Sequence, residues 1–510
     1  MNTISRLQML LHGLSALAMA IFVYLYVSHN APGLTDVPVV AILGVVYVAM
    51  FMLANPGLTA GRNVLLPAGF ARLLYAVTAV GLPLLFLNAT LWDYYQPISL
   101  YEDAIYALAL SWSLLIVSSV IAFVQGQRQF ALAAIVALLG LVFVLMVHSI
   151  SNPAPAAGLK QHMHLFAGEE GGYEIYRIPA LLVLPAGSEL ADGTVLERDR
   201  ILAIAEARRD GALDTGVIDL VQRVSDDGGE SWSGQKVVCS HRVGEDRGKC
   251  GNATPLFDQQ TGRVWLAYNL SGIPDDLEEG PRPHSAYVIV SDDGGLNWQG
   301  TRQLPFDNLV FGPGHGIQKQ QAPARGRLIL PGNRSGSSQV LVSDDHGETW
   351  LAGAALGVGN ENEIAELSDG RLYMAIRHNA PVGEPPQPNG RLFALSTDGG
   401  SSWSQAETDT RIPTPICQGS VLRYGDGGGL LFSNPADEKA RAHMTVRAST
   451  DDGASWDRSL LVYPGPAGYS QLGLLSDGDV VLLYEQGRIE YSERISFARI
   501  DAGAELLQHD

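Results

Sequence analysis

Ser225-Asp-Asp-Gly-Gly-Glu-Ser-Trp232 is the first of five copies of one motif in this chain. The other copies are Ser291-Asp-Asp-Gly-Gly-Leu-Asn-Trp298, Ser343-Asp-Asp-His-Gly-Glu-Thr-Trp350, Ser396-Thr-Asp-Gly-Gly-Ser-Ser-Trp403 and Ser449-Thr-Asp-Asp-Gly-Ala-Ser-Trp456. Their starts are separated by 66, 52, 53 and 53 residues. A fixed period of this size marks a repeat architecture with one supersecondary unit per copy. The flanks alternate β-branched and apolar residues, as in Ser285-Ala-Tyr-Val-Ile-Val290, Gln339-Val-Leu-Val342 and Arg391-Leu-Phe-Ala-Leu395. Each run ends at the Asp/Gly turn, so each copy reads as strand, tight hairpin, strand. The Asp can accept turn N–H groups while the Trp packs between neighbouring units. A calcium site is disfavoured, because each copy has too few carboxylates at EF-hand spacing.

From about Tyr173 to Phe497 the period gives about six units, and the expected fold there is a six-bladed β-propeller. The longer first interval is expected to hold an inserted loop, Val243–Gly251.

The residues before the repeat read differently. Five apolar runs, Leu7–Val27, Val37–Ala54, Leu73–Trp92, Ala104–Val124 and Phe130–Val147, each approach the ~20 residues of a membrane-crossing helix. Arg6 precedes the first run, Arg62, Arg72 and Arg128 fall in the second and fourth connections, and Asp36, Asp93, Glu102 and Asp103 in the other two. Positive-inside then puts the N-terminus in the cytoplasm and residue 150 outside. The expected organisation is an all-α transmembrane domain over 1–150, a Pro/Ala linker over 151–163 and a β-domain over 164–510. It implies an integral membrane protein, a lipid bilayer as partner and the β-domain on the periplasmic or extracytoplasmic side.

The formal net charge is -19, and the eight charges of residues 1–150 cancel, so the excess lies in the rest of the chain. An acidic domain of this kind argues against nucleic acid as a partner. Cys239, Cys250 and Cys417 have no metal-type spacing. Cys239 and Cys250 are close enough to close a small loop in an oxidising compartment, or they are two unrelated buried thiols. The sequence leaves both open.

Arg177 lies within the apolar run Tyr173-Glu-Ile-Tyr-Arg-Ile-Pro-Ala-Leu181. A buried guanidinium must meet a carboxylate of the protein or await an anionic ligand.

The repeated motif, S-x-D-x-G-x-[ST]-W, resembles the Asp box of the sialidase (neuraminidase) family, with Asn297 departing from Ser/Thr in one copy. From about His164 to Arg499 the chain also resembles bacterial and animal exo-α-sialidases at each catalytic position. Tyr176-Arg-Ile-Pro179 is similar to the family's [FY]RIP motif. The resemblance implies that Arg177, Arg377 (ending Glu366–Arg377) and Arg441 (after Asn434-Pro435) hold the substrate carboxylate. Planar guanidinium forks suit that group. It further implies Tyr469 as nucleophile, since a neutral phenol avoids the repulsion a carboxylate would meet at a carboxylate-bearing centre. Glu361 is then the base, with Glu363 on the same strand face left open. Asp214 is the implied general acid/base, with Asp210 as an alternative and Asp219 read as structural. Glu485 is the implied partner of Arg177, and Arg208 and Asn252 are implied to line the sugar pocket. Gly312-Pro-Gly-His-Gly-Ile317 lacks the Lys-Ser/Thr of a phosphate loop.

The implied activity is a retaining exo-α-sialidase, a glycoside hydrolase acting on sialylated glycoproteins, gangliosides or oligosaccharides with no metal or organic cofactor. A trans-sialidase and a non-catalytic sialic-acid-binding propeller are the alternatives.

Overall fold

In a computed structural model of the chain, residues 155–156, 159–168, 170–209, 211–214, 216–241, 248–271, 284–378, 390–425, 427–488 and 490–501 are described. The chain divides between Asn152 and Pro153, and all of these residues belong to the second unit.

Alternating apolar residues broken by Asp/Gly turns fold into strands. β1 (Leu159–Ala167) comes first and pairs at the far end of the chain. β2 (Ile175–Leu184), β3 (Arg200–Arg208), β4 (Val217–Ser225) and β5 (Lys236–Cys239) follow as an antiparallel meander. β6 (Gly248–Asp258), β7 (Arg263–Ser271), β8 (Ser285–Ser291) and β9 (Gln299–Asp307) form a second. In the third, β10 (Leu309–Phe311) and β11 (Ile317–Gln318) both pair with β12 (Leu328–Arg334), followed by β13 (Ser337–Ser343) and β14 (Leu351–Ala352). β15 (Asn362–Glu366), β16 (Leu372–Ile376), β17 (Arg391–Ser396) and β18 (Glu407–Asp409) form the fourth. β19 (Ser420–Arg423), β20 (Leu430–Pro435), β21 (Ala442–Ser449), β22 (Arg458–Leu474), β23 (Val480–Gln486) and β24 (Arg494–Ile500) complete the chain.

Six separate blades are not what the hydrogen bonding draws. The strands join into four sheets, of seven, five, four and eight strands. Two features fuse neighbouring meanders. β4 pairs in parallel with β6 through Val217↔Gly248 and Ile218↔Lys249. The 17-residue β22 pairs with β21 and then continues along β23. Backbone groups that lie within reach of a neighbouring strand pair with it, and the period of the turns carries no information about that.

The mixed fold expected from the first 150 residues is corrected as well. Among the described residues there is no α-helix, and hence none long and apolar enough to cross a membrane. An apolar run spans a bilayer as a helix only when its backbone hydrogen bonds close within that helix. The described residues therefore give no support to the five-helix domain, the integral-membrane placement or the bilayer contact. The five runs themselves lie outside the described residues, as does most of the expected Val243–Gly251 loop.

Each Asp box is closed by its own side chains. Ser225 Oγ donates to Asp227 Oδ1 at 2.7 Å and accepts from Gly229 N at 2.8 Å. Ser231 N donates to the same Oδ1 at 2.9 Å. The carboxylate is thus consumed in holding the turn. Asn297 reproduces the pattern, with its N and Nδ2 donating to Asp293 at 2.8 and 2.7 Å. The box glycine has a second reason to be glycine. Gly229 has φ +96°, and a Cβ there would stand 2.5 Å from Phe497 in β24. The box Trp232 meets the same Phe497 edge-on at 5.1 Å. The first box therefore rests on the last sheet, and β1 pairs with β24 from Leu159↔Ile500 to Ala167↔Arg494. Cys239 and Cys250 form a disulfide, which settles the alternative left open above.

Candidate active site

Three of the residues singled out sit where strand register breaks. β2 and β3 shift between Arg177 and Ala180, β6 and β7 between Gly251 and Thr254, and β22 and β23 between Ala467 and Ser470. These shifts carry Arg177, Asn252 and Tyr469 respectively. A bulge turns a side chain out of the alternating pattern, which re-aims it at a shared point. Ile178 and Asn252 both take φ of 55°. Glu361 immediately precedes β15 and Arg377 immediately follows β16. Register places them opposite one another, and Arg377 N donates to Glu361 O at 2.8 Å.

The centre of the site is Tyr469. Its Oη donates to Glu361 Oε1 at 2.5 Å and accepts from Arg377 Nη1 at 2.9 Å. Arg377 Nη1 also meets Glu361 Oε2 at 2.6 Å. Tyr469 is 5% exposed. Burial and the Glu361 carboxylate push its phenol well above the ordinary range, against Arg377 and Arg441, which pull it down. The phenol is therefore neutral at rest, with its proton aimed at Glu361. A weak nucleophile beside a base has the geometry for activation.

Arg177 is 6% exposed and pairs with Glu485, Nε to Oε1 at 3.0 Å and Nη2 to Oε2 at 3.3 Å. Burial disfavours the guanidinium charge, but the Glu485 carboxylate holds its pKa well above the usual value. Glu485 also accepts from Ile178 N at 3.0 Å and Tyr469 N at 3.1 Å. One carboxylate thus fixes two bulges. Arg441 donates to Ile416 O at 3.1 Å, and its Cζ lies 5.5 Å from the Tyr469 ring centroid and 4.8 Å from that of Tyr491. Arg177 stands over the same rings at 5.4 and 5.2 Å. Three arginines therefore converge around one tyrosine with an excess of positive charge. An anionic ligand suits that balance.

Asp214 lies in the loop between β3 and β4 with its side chain 72% exposed. Its Oδ1 accepts from Arg208 Nη2 at 2.9 Å, and the same Nη2 meets Glu206 Oε2 at 2.6 Å. Partial burial acts to raise its pKa, but the charges of Arg208, Lys249 and Arg177 outweigh that and hold it well below the carboxylate range. Asn252 donates from Nδ2 to Phe311 O at 3.2 Å and from its backbone N to Glu206 Oε1 at 2.9 Å.

The structure also separates the two neighbours on β15. Glu361 reaches Tyr469, whereas Glu363 is fully buried and accepts from His315 N, Val421 N and Gln471 Nε2 at 2.9, 2.8 and 2.8 Å. Asp219 is held by Tyr173 Oη at 2.8 Å and does not join the site. Asp210 lies outside the described residues.

The sequence did not single out Glu206, Lys249 or Tyr491. Glu206 stands two residues before Arg208 on one strand face, a signal that could have found it. Tyr491 follows β23 in a stretch with no periodicity.

Residues 199–482 match the family model described as "BNR repeat-like domain". The chain is 34% identical over 366 residues to a sialidase of Micromonospora viridifaciens, covering 66% of this chain and 54% of that protein. The chain therefore spans only about half the length of that relative. It is 30% identical over 320 residues to an exo-alpha-sialidase of Aspergillus fumigatus, covering 55% of this chain and 69% of that one. Among solved structures, the Hadza microbial sialidase Hz136 is similar in fold, with a TM-score of 0.55, 22% identity and coverage of 67% of this chain and 68% of that one.

Proposed function

The chain belongs to the exo-α-sialidase family, and from that premise we propose that it hydrolyses terminal α-linked sialic acids with retention through a tyrosyl intermediate. The observation that carries the reading is Tyr469 Oη at 2.5 Å from Glu361 and 2.9 Å from Arg377.

Arg177, Arg377 and Arg441 hold the substrate carboxylate, which points the anomeric carbon at Tyr469. Tyr469 Oη attacks that carbon while Glu361 takes the phenol proton. In its protonated form, which the surrounding cations disfavour, Asp214 gives its proton to the glycosidic oxygen, the C–O bond breaks and the aglycone leaves as an alcohol. In the second half Asp214 takes a proton from water, whose oxygen attacks the same carbon. The Tyr469 ether breaks and Glu361 returns the proton to the phenolate. Two inversions give net retention. The arginine charge lowers the cost of the phenolate-like transition state.

The test is release of 4-methylumbelliferone from its sialoside by the full chain, with the first-formed sugar anomer read by proton NMR. Release of the α-anomer, abolished by Tyr469→Phe, supports the reading. The β-anomer as first product, or an unaffected Tyr469→Phe variant, overturns the mechanism. Product analysis with lactose present separates hydrolysis from transfer.

A further inference from the structure

Four charged groups, Asp214, Arg208, Glu206 and Lys249, meet behind the Asp214 loop, and the proposed mechanism uses only part of them. Glu206 is fully buried, and its two oxygens serve different cations. Oε2 binds Arg208 Nη2 at 2.6 Å, while Oε1 faces Lys249 Nζ at 3.6 Å and accepts from Asn252 N at 2.9 Å. Arg208 Nη2 is shared, because it also holds Asp214 Oδ1 at 2.9 Å. Two carboxylates thus compete for one guanidinium nitrogen.

Lys249 changes the outcome of that competition. Its side chain is only 12% exposed, unusual for an amine with a flexible four-carbon stem. The chain folds back over Gly251, where a Cβ would overlap Lys249 Cε and stand 2.5 Å from Glu206 Oε1. Its backbone is fixed on both sides. It pairs with Ile218 of β4 and Ser271 of β7, and the next residue, Cys250, is tied to Cys239. A free surface lysine has none of these constraints.

We propose that Lys249 is a positioning residue for Asp214: by sharing the charge of Glu206, it leaves Arg208 free to hold the Asp214 carboxylate in place. The proposal rests on the reading of Asp214 as the acid/base group. Without Lys249, the buried Glu206 charge draws on Arg208 alone, and a buried carboxylate without compensation is costly. Arg208 then turns to Glu206, and Asp214 loses its anchor. The charged groups that act on Asp214 are Arg208 and Glu206 from β3, Arg177 from β2 and Lys249 from β6. Lys249 also heads the groups that lower the Glu206 carboxyl against the effect of burial.

Two readouts test this in the full chain. The first is the pH profile of kcat/KM on the fluorogenic sialoside for wild type, Lys249→Met and Lys249→Arg. Loss of one nearby positive charge moves the alkaline limb up by about one pH unit in Lys249→Met, and Lys249→Arg restores it. A lower rate with an unmoved limb overturns the proposal, since it means only a packing role. The second is a carbon-13 titration of the Asp214 carboxyl, assigned by Asp214→Asn, which needs no turnover. Its midpoint rises by about one pH unit in Lys249→Met, and equal midpoints overturn the proposal even if the wild type has no sialidase activity. Absence of activity with a shifted midpoint instead sinks the reading of the site and leaves Lys249 as the anchor of this cluster. If Lys249→Met does not fold, the Glu206→Gln/Lys249→Met double variant removes both charges. It is expected to keep the wild-type midpoint, because Arg208 then has one carboxylate to serve. A raised midpoint in the double variant overturns the proposal.

Discussion

The phenolic oxygen of Tyr469 stands 2.5 Å from Glu361 Oε1, across 108 residues of sequence. Neither residue is placed by the other's local chain. The β22 bulge turns Tyr469 inward, and β15 pairing sets Glu361 opposite Arg377. The two act as one unit, so their substitutions are not additive. Glu361→Gln lowers kcat by about 10²–10⁴-fold, the range for loss of a general base. Tyr469→Phe lowers it at least as far, and the double variant is no worse than Tyr469→Phe alone. Steady-state kinetics of the three variants check this.

The Arg177–Glu485 pair is buried at both ends, with side chains 7% and 0% exposed. Glu485→Leu strands the Arg177 charge and costs about 3–5 kcal/mol of stability. Glu485→Gln keeps the shape and part of the hydrogen bonding, so it costs less. Both raise KM, because Arg177 loses its orientation. Urea denaturation with parallel kinetics measures the two effects.

His164 gives the fold a pH dependence. Its Nδ1 lies 2.9 Å from Ser496 Oγ. Burial, with the charges of Arg494 and His162, lowers its pKa from 6.5 to about 4. The folded state therefore binds fewer protons than the unfolded one between these values. The contribution is fully present above pH 6.5 and is lost as pH falls through about 4. His164→Gln flattens part of the decline of Tm across that window, read by calorimetry. An unchanged slope counts against a neutral His164 in the folded state.

The Cys239–Cys250 disulfide closes a short loop, with a sequence separation of 11. Its removal by Cys239→Ala/Cys250→Ala costs about 2–4 kcal/mol through the freed unfolded chain. A shift in the urea midpoint reports it. Loosening of β6 also weakens the Lys249 anchor, so the pH profile moves in the direction expected of Lys249→Met.

The Asp boxes predict a contrast within one copy. Asp293→Ala removes the acceptor for Ser291 Oγ, Asn297 N and Asn297 Nδ2 and costs about 1–3 kcal/mol. Asn297→Thr restores the commoner residue and changes stability by within about 0.5 kcal/mol. Thermal unfolding of both variants distinguishes a structural box from a decorative one.

The sequence by itself determined the strand-turn-strand repeat, because an Asp box carries its closing hydrogen bonds within eight residues. Its motifs also singled out Arg177, Arg377, Arg441, Glu361, Tyr469 and Glu485, which the fold brings into contact or onto shared aromatic rings. Only the tertiary structure decided how the repeats join, since β4–β6 pairing and the run-through of β22 depend on which strands lie side by side. It alone separated Glu361 from Glu363, because two residues on one strand face differ only in the depth at which partners meet them. It alone joined Cys239 to Cys250 and brought Glu206, Lys249 and Tyr491 to the site. Apolar content in residues 1–150 invited a membrane reading; those residues lie outside the described ones, among which no helix is long and apolar enough to cross a membrane. Local chemistry is written in the order of the residues, whereas contacts between distant residues exist only once burial has chosen which surfaces meet.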